Sequence, residues 1–181
     1  MMLMRNPIVW LWRVRHRNGY GVHSPFAFDF VTNVLYNGEH YYAYRDIDNE
    51  LHWWQRGRMK SLRHLLFRLA NYRMPQRLCC SGVDEETVAT LHRGCLGAQV
   101  VKVWEDEPGT ADMIVTGEGD DSALCCLGEG SMVVVWNLRR QRRLWQRLQE
   151  DRRVTVTFDL YDVGVAFARK DLNRQNYIIN W

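Results

Sequence analysis

Three groups of side chains in this sequence are of types that do chemistry. The first is five cysteines, Cys79, Cys80, Cys95, Cys125 and Cys126. Their odd count and two vicinal pairs fit neither a disulfide framework nor the ligand spacing of a zinc site. On a strand, neighbouring side chains point to opposite faces, so a vicinal pair does not converge on one metal. They read as reduced, partly buried thiols. The second group is His23 beside Ser24. A serine nucleophile needs a base within hydrogen-bond reach and an acid to orient that base. Adjacent residues at a helix start do not face each other in that way, so Ser24 reads as a helix cap. His23 then reads as a buried hydrogen bond that ties the N-terminal arm to the core. The third group is arginine. Lysine occurs only at Lys60, Lys102 and Lys170, and Arg139, Arg143 and Arg147 recur at i, i+4 spacing on a predicted helix. Two readings of that basic stripe stay open. It is a solvated face partly offset by Glu150 and Asp151, or a face for RNA or another anionic partner, since arginine binds phosphate bidentately. No recognised RNA-binding motif accompanies it. Glu118, Asp120 and Asp121 are open in the same way, as an acidic loop or as oxygen ligands for a metal.

The elements that position these groups follow from composition and periodicity. With 181 residues, 46% of them hydrophobic and 12% aromatic, and only four prolines, the chain is neither disordered nor long enough for two ordinary domains. The net charge of +3 is mild. No apolar run approaches the ~20 residues of a spanning helix. Residues 1–17 resemble a targeting segment. However, their apolar run at 8–12 is short, is followed by Arg13, Arg15 and Arg17, and has no small-residue cleavage site. The expectation is a soluble cytoplasmic protein. Trp10 and Trp12 suit a membrane surface, or a helix packed over the domain or against a second copy of the chain; packing is the favoured reading. Apolar residues at helical spacing predict a helix from Ser24-Pro25, with Phe26, Phe30, Val31, Val34 and Leu35 on one face. A second helix is predicted from Ser61, with Leu62, Leu65, Leu66 and Leu69 inward and Arg63 and Arg68 outward. Residues 40–58 between them, lacking a period, read as a loop with short helical turns. From residue 78 the texture changes to short apolar runs at 77–80, 99–104, 112–116 and 132–136, which suit buried parallel strands. Helices are predicted from an Asp84 cap through about Arg93, stopped by Gly94, and over 138–149 with Leu138, Leu144, Trp145 and Leu148 buried. At 154–158 apolar and polar residues alternate, and further strands are expected at 163–168 and 177–180. The predicted fold is α/β, a Rossmann-like, mostly parallel sheet with antiparallel C-terminal edge strands and an N-terminal helical cap. One compact domain is expected, with the cap region at 1–77 and the core at 78–181.

Residues 17–32 (RNGYGVHSPFAFDFVT) resemble the N-terminal signature of a family of class I S-adenosylmethionine-dependent methyltransferase-like proteins. Residues 61–72 and 154–170 resemble the same family in the same order, so the likeness is strong at both ends and weak in the middle. It implies a Rossmann-like sheet, S-adenosylmethionine as cofactor and an unknown methyl acceptor as partner. In that fold the first strand runs into a glycine-rich turn, and a helix N-terminus then receives the cofactor's carboxylate. Here the place reads LCCSGVDEETV over residues 78–88, so the resemblance assigns cofactor binding to Ser81 and Gly82. Asp84, Glu85 and Glu86 put negative charge where that carboxylate would lie. Glu105, just past the second strand, takes the place of the acidic residue that binds the ribose hydroxyls. Other family features are missing. An Asp-Phe-Gly-Ala-Gly-Ser-like segment has no counterpart, and Thr116-Gly117-Glu118 and Trp136-Asn137 replace acidic pairs after the fourth and fifth strands. The short connection beyond residue 104 implies loss of the third strand. The expectation is a shortened member with a degenerate cofactor loop and weak or lost activity. The alternative is a non-catalytic binding or regulatory protein that engages a protein partner, a second copy of itself or, through its arginine face, RNA.

Overall fold

The computed structural model describes residues 24–53, 57–101 and 110–181. Ser24 caps the first helix, α1 (Pro25–Phe30), its hydroxyl accepting from the Ala27 amide at 3.4 Å, with proline in the first turn as its missing N–H requires. The helix widens into a π-helical turn at Val31–Leu35, which buries Val31, Val34 and Leu35. The aperiodic stretch that follows contains a two-turn helix, α2 (Ala43–Glu50), which buries Tyr44 and Ile47. Two inward residues are too few to register as a helical period.

Helix α3 (Arg58–Arg73) buries Leu62, Leu65, Leu66 and Leu69 as the spacing predicts. Arg63 and Arg68, expected outward, are also buried, because α3 is covered on several sides. Arg68 donates from Nε to the Val34 carbonyl at 2.8 Å, from Nη2 to the Leu35 carbonyl at 3.1 Å, and from Nη1 to the Tyr44 hydroxyl at 3.2 Å. The carbonyls at the end of a helical segment have no partner within it, so this guanidinium supplies their donors. Arg63 donates to Thr90 Oγ1 at 3.1 Å and to Glu86 Oε2 at 2.6 Å. A buried guanidinium is tolerated when its N–H groups meet acceptors in this way, as all three nitrogens of Arg68 do and both terminal nitrogens, though not Nε, of Arg63.

Among the described residues seven strands follow: β1 (Arg77–Ser81), β2 (Gln99–Val101), β3 (Met113–Thr116), β4 (Met132–Trp136), β5 (Val156–Asp159), β6 (Val163–Phe167) and β7 (Gln175–Ile178). They form one sheet in the order β2-β1-β3-β4-β6-β5-β7. The pairs β2–β1, β1–β3, β3–β4 and β5–β7 are parallel, and β6 pairs antiparallel with both β4 and β5. The sheet is therefore mostly parallel, and the antiparallel pairing of its C-terminal half comes from β6 alone. The β5–β6 turn is tight, whereas the chain after β6 passes beyond β5 and adds β7 parallel to it. Among the described residues β2 is the last strand on that edge, and residues 102–109, where the sequence puts a third strand in question, lie outside them.

Alternate side chains divide the sheet between two cores. Leu78, Met113, Val115, Met132, Val134, Phe158, Val165 and Phe167 face α1, α3 and α4 (Glu85–Gly94). Cys79, Ile114, Val133, Val135 and Ala166 face a 3₁₀ turn at Ser122–Cys126, a second at Leu138–Arg140, and α5 (Arg142–Glu150). Cys79 and Cys80 thus lie on opposite faces, as neighbours on a strand must. Asp84 caps α4, its carboxylate accepting from the Thr87 amide at 2.6 Å.

Candidate functional site

In an open α/β sheet, ligands bind outside the carboxyl ends of the strands, where the chain reverses its direction of travel across the sheet. Here the chain leaves β1 for β2 and returns to β3 on the other side of β1. The crevice predicted by that topology lies between the turns after β1 and β3. Ser81 and Gly82 stand on one side of it, and Thr116 and Gly117 on the other.

The two turns are in contact. The Gly117 amide donates to the Ser81 carbonyl at 2.7 Å, and a Cβ on Gly117 would lie 1.6 Å from the Gly82 oxygen. Gly82 itself is left-handed, with φ +60°, and a Cβ there would lie 3.0 Å from that of Asp120. Glycine at both positions is what allows so close an approach. The Ser81 hydroxyl is buried and donates to the Asp120 carbonyl at 3.1 Å, which also accepts from Thr116 Oγ1 at 2.6 Å. Hydrogen bonds from Ser122 hold the Asp120 carboxyl below the usual carboxylate range. Below the crevice, Arg63 lies 2.6 Å from Glu86 and 3.6 Å from Asp84, so the acidic first turn of α4 is partly neutralised from beneath. Ser81 ends β1 and Gly82 follows it. Glu105 lies outside the described residues, as do His23, Trp10 and Trp12.

A second concavity opens at the carboxyl end of β4. Met59 and Leu62 of α3, Trp136, Asn137, Arg139, Arg140 and Asp162 line a cleft of about 190 Å³. Asp162, in the β5–β6 turn, is buried, with Arg58 Nε at 2.9 Å and Arg139 Nε at 3.8 Å. Arg58 also donates to the Trp181 carbonyl at 3.3 Å and lies 4.6 Å from the centre of its indole, while Arg139 lies 5.2 Å from that of the Tyr161 ring. Glu118 accepts from Arg140 at 2.8 Å and from Asn137 at 3.2 Å. Asn137 and Tyr161 take left-handed φ values of 58° and 78°. Such backbone costs about 1–3 kcal/mol at a non-glycine residue, and it tends to gather at binding sites. Sequence reading missed Arg58 and Asp162. An arginine at a helix start and an aspartate in a turn are commonplace, and only the fold brings them together.

The basic stripe is not continuous. The predicted helix over 138–149 is broken at Gln141, so Arg139 belongs to the 3₁₀ turn, and Arg143 and Arg147 to α5. The side-chain amide of Gln141 donates to the Trp136 carbonyl at 2.6 Å, which fixes the break. Arg139 faces Asp162, Arg147 pairs with Asp121 at 2.9 Å, and Arg143 is exposed on α5. The acidic loop is dispersed likewise: Glu118 to Arg140, Asp120 to the Ser122 amide and Asp121 to Arg147. Among the described residues no three His, Cys, Asp or Glu side chains are placed to hold a metal ion. No helix among them is long and apolar enough to cross a membrane.

No family model and no curated protein matches the chain. Solved structures do. The S-adenosylhomocysteine-bound Podospora anserina methyltransferase PaMTH1 aligns with a TM-score of 0.51 and 12% identity, over 82% of this chain and 97% of its own. The O-methyltransferase TomG of Streptomyces achromogenes, in complex with S-adenosylmethionine, aligns with a TM-score of 0.48 and 17% identity over 76% of this chain and 96% of its own. A methyltransferase from Geobacter sulfurreducens aligns with a TM-score of 0.47 and 14% identity over 60% and 78%. At such identities the likeness is one of fold, and the fold of this chain, as its alignment with PaMTH1 shows, is that of a class I methyltransferase.

Proposed function

We propose that this protein is a divergent methyltransferase-fold protein in which binding of the methyl donor S-adenosylmethionine is weak or lost, and whose remaining binding function resides in the cleft beside Trp136. The contact between Gly82 and Gly117 is the observation that supports this reading. A donor seated at the switch point would bring its amino-acid end to the turn after β1, where backbone amides and a helix N-terminus receive a carboxylate. Here the Ser81 hydroxyl is engaged by Asp120, the neighbouring turn occupies the space above Gly82, and the Asp84 carboxylate already caps α4. The residues present do not fit the donor's amino-acid end as the two turns stand.

The cleft beside Trp136 combines an indole, Met59 and Leu62 with the guanidinium groups of Arg139 and Arg140. An apolar wall with a few converging polar groups is the usual make-up of a small-molecule site. Methyl transfer needs donor and acceptor held in line more than it needs a dedicated base. A ligand in this cleft with no donor beside it is bound and not methylated. Thermal denaturation with millimolar S-adenosylmethionine or S-adenosylhomocysteine tests the first half of the proposal. No upward shift of Tm is expected with either, because only a ligand that binds the folded chain stabilises it. A shift of several degrees with both would restore a working donor site.

A further inference from the structure

Three of the cysteines read from the sequence as reduced, partly buried thiols meet at one place in the fold. Cys79, from β1, and Cys126, from the Ser122–Cys126 turn, are both buried, with their sulfurs 3.4 Å apart. The exposed Cys125 has its sulfur 3.8 Å from that of Cys126. The three thiols therefore form a line from the surface to the sheet. Cys80, on the opposite face of β1, and Cys95 lie outside it; burial pushes their thiols up to about 12 and about 11 and keeps them protonated.

We propose that Cys79 and Cys126 are an oxidation site that a peroxide converts into an intramolecular disulfide, with Cys125 as the thiol through which oxidation enters. A disulfide needs its sulfurs about 2.05 Å apart, so the pair must close by roughly 1.4 Å, a movement within the reach of side-chain torsions. In the first step the Cys125 thiolate attacks the peroxide. An S–O bond forms, the O–O bond breaks, and hydroxide leaves and takes up the proton that Cys125 released. Cys126 then attacks the Cys125 sulfenic sulfur; an S–S bond forms, the S–O bond breaks, and water leaves with the Cys126 proton. This vicinal disulfide is strained, because adjacent side chains on a helical turn diverge, and strained disulfides exchange readily. Cys79 attacks the Cys126 sulfur, and Cys125 leaves as a thiolate that takes up the Cys79 proton. Two thiols have lost two electrons and two protons to one peroxide, giving one disulfide and two waters. Burial raises the thiols of Cys79, Cys125 and Cys126 above the ordinary cysteine range, so they rest protonated and the Cys125 thiolate that attacks the peroxide is a minor form that grows with pH.

The bond would fasten the Ser122–Cys126 turn to β1 through side chains as well as through the Ala123 amide, which donates to Ser81 Oγ at 3.4 Å. The experiment treats the full chain with hydrogen peroxide and then alkylates it unfolded under non-reducing conditions. The treated chain is expected to carry three alkyl groups where the untreated chain carries five, with a single cross-linked peptide pair joining Cys79 to Cys126, and Tm is expected to rise. Cys125→Ala, a surface change that leaves the fold intact, is expected to form the same bond roughly tenfold more slowly. In Cys79→Ala the Cys79–Cys126 cross-link is lost and oxidation stops at the Cys125–Cys126 pair. Alkylation of both Cys79 and Cys126 after peroxide treatment, with Cys125 alone oxidised or joining two chains, would overturn the proposal. So would unchanged kinetics in Cys125→Ala, which would remove Cys125 from its role.

Discussion

Asp162 is the residue on which the cleft depends. Its buried carboxylate holds Arg58 at 2.9 Å and faces Arg139, so the wall of the cleft is set by one side chain from the short β5–β6 turn. Asp162→Asn keeps the shape and removes the charge, leaving two arginines short of their partner. Stability is expected to drop by about 2 kcal/mol, read as a lower urea midpoint with an unchanged slope. Arg68 is expected to matter more. Arg68→Ala strips donors from the Val34 and Leu35 carbonyls and from Tyr44, and should cost about 3 kcal/mol by the same measurement. His64 sets a pH dependence. Its ring stacks on Tyr44 at 3.7 Å, and burial lowers its pKa below 6.5 even though Asp48, 2.9 Å away, favours the charged form. The unfolded chain therefore takes up the proton first as pH falls. The neutral ring's contribution is whole above 6.5 and is lost below it. His64→Phe, which keeps the stacking but cannot titrate, is expected to flatten the pH dependence of Tm between about pH 7 and about pH 5. None of these residues stood out in the sequence. An arginine on a helix reads as solvated unless its acceptors are known, and those of Arg68 lie at the end of a different helix.

At the scale of elements the sequence was more legible. Continuous apolar runs marked β1, β3 and β4, and Ser24 and Asp84 cap the helices that their types announced. Alternation marked β5 as a half-exposed strand, but its polar residues Thr157 and Asp159 are buried as well, because β6 and β7 flank it and both faces are covered. Periodicity failed where an element was too short to repeat, as in α2, and where a break left the apolar pattern intact. The helix expected over 138–149 is divided at Gln141, yet Leu138, Leu144, Trp145 and Leu148 are all buried as predicted. The polar face gave no warning, and with the break went the arginine stripe. Two contacts between elements are sensitive to a single methyl group. A Cβ on Gly164 of β6 would lie 2.5–2.8 Å from the Trp145 ring of α5, so Gly164→Ala should destabilise the protein by about 2 kcal/mol in urea melts, with near-ultraviolet circular dichroism reporting a displaced indole. Gly117→Ala would meet the Gly82 backbone first and the Val83 side chain next, and must push the β1 and β3 turns apart.

Taken whole, the molecule has the methyltransferase-like fold, and the turns after β1 and β3, which flank the place where such a sheet binds its ligand, touch each other. The sequence foreshadowed this in part. The single glycine of the turn and the acidic residues after it were visible, but the Gly117 contact and the buried Arg63 that offsets Glu86 were not, since both arise from segments far apart in the chain. Glu105, the remaining residue assigned to the donor, lies outside the described residues. The most direct test is calorimetric titration of the purified chain with S-adenosylhomocysteine and S-adenosylmethionine, beside a Glu105→Ala variant. The account predicts no heat at micromolar ligand from either protein. One-to-one micromolar binding that disappears in Glu105→Ala would contradict it and make the chain a donor-binding methyltransferase.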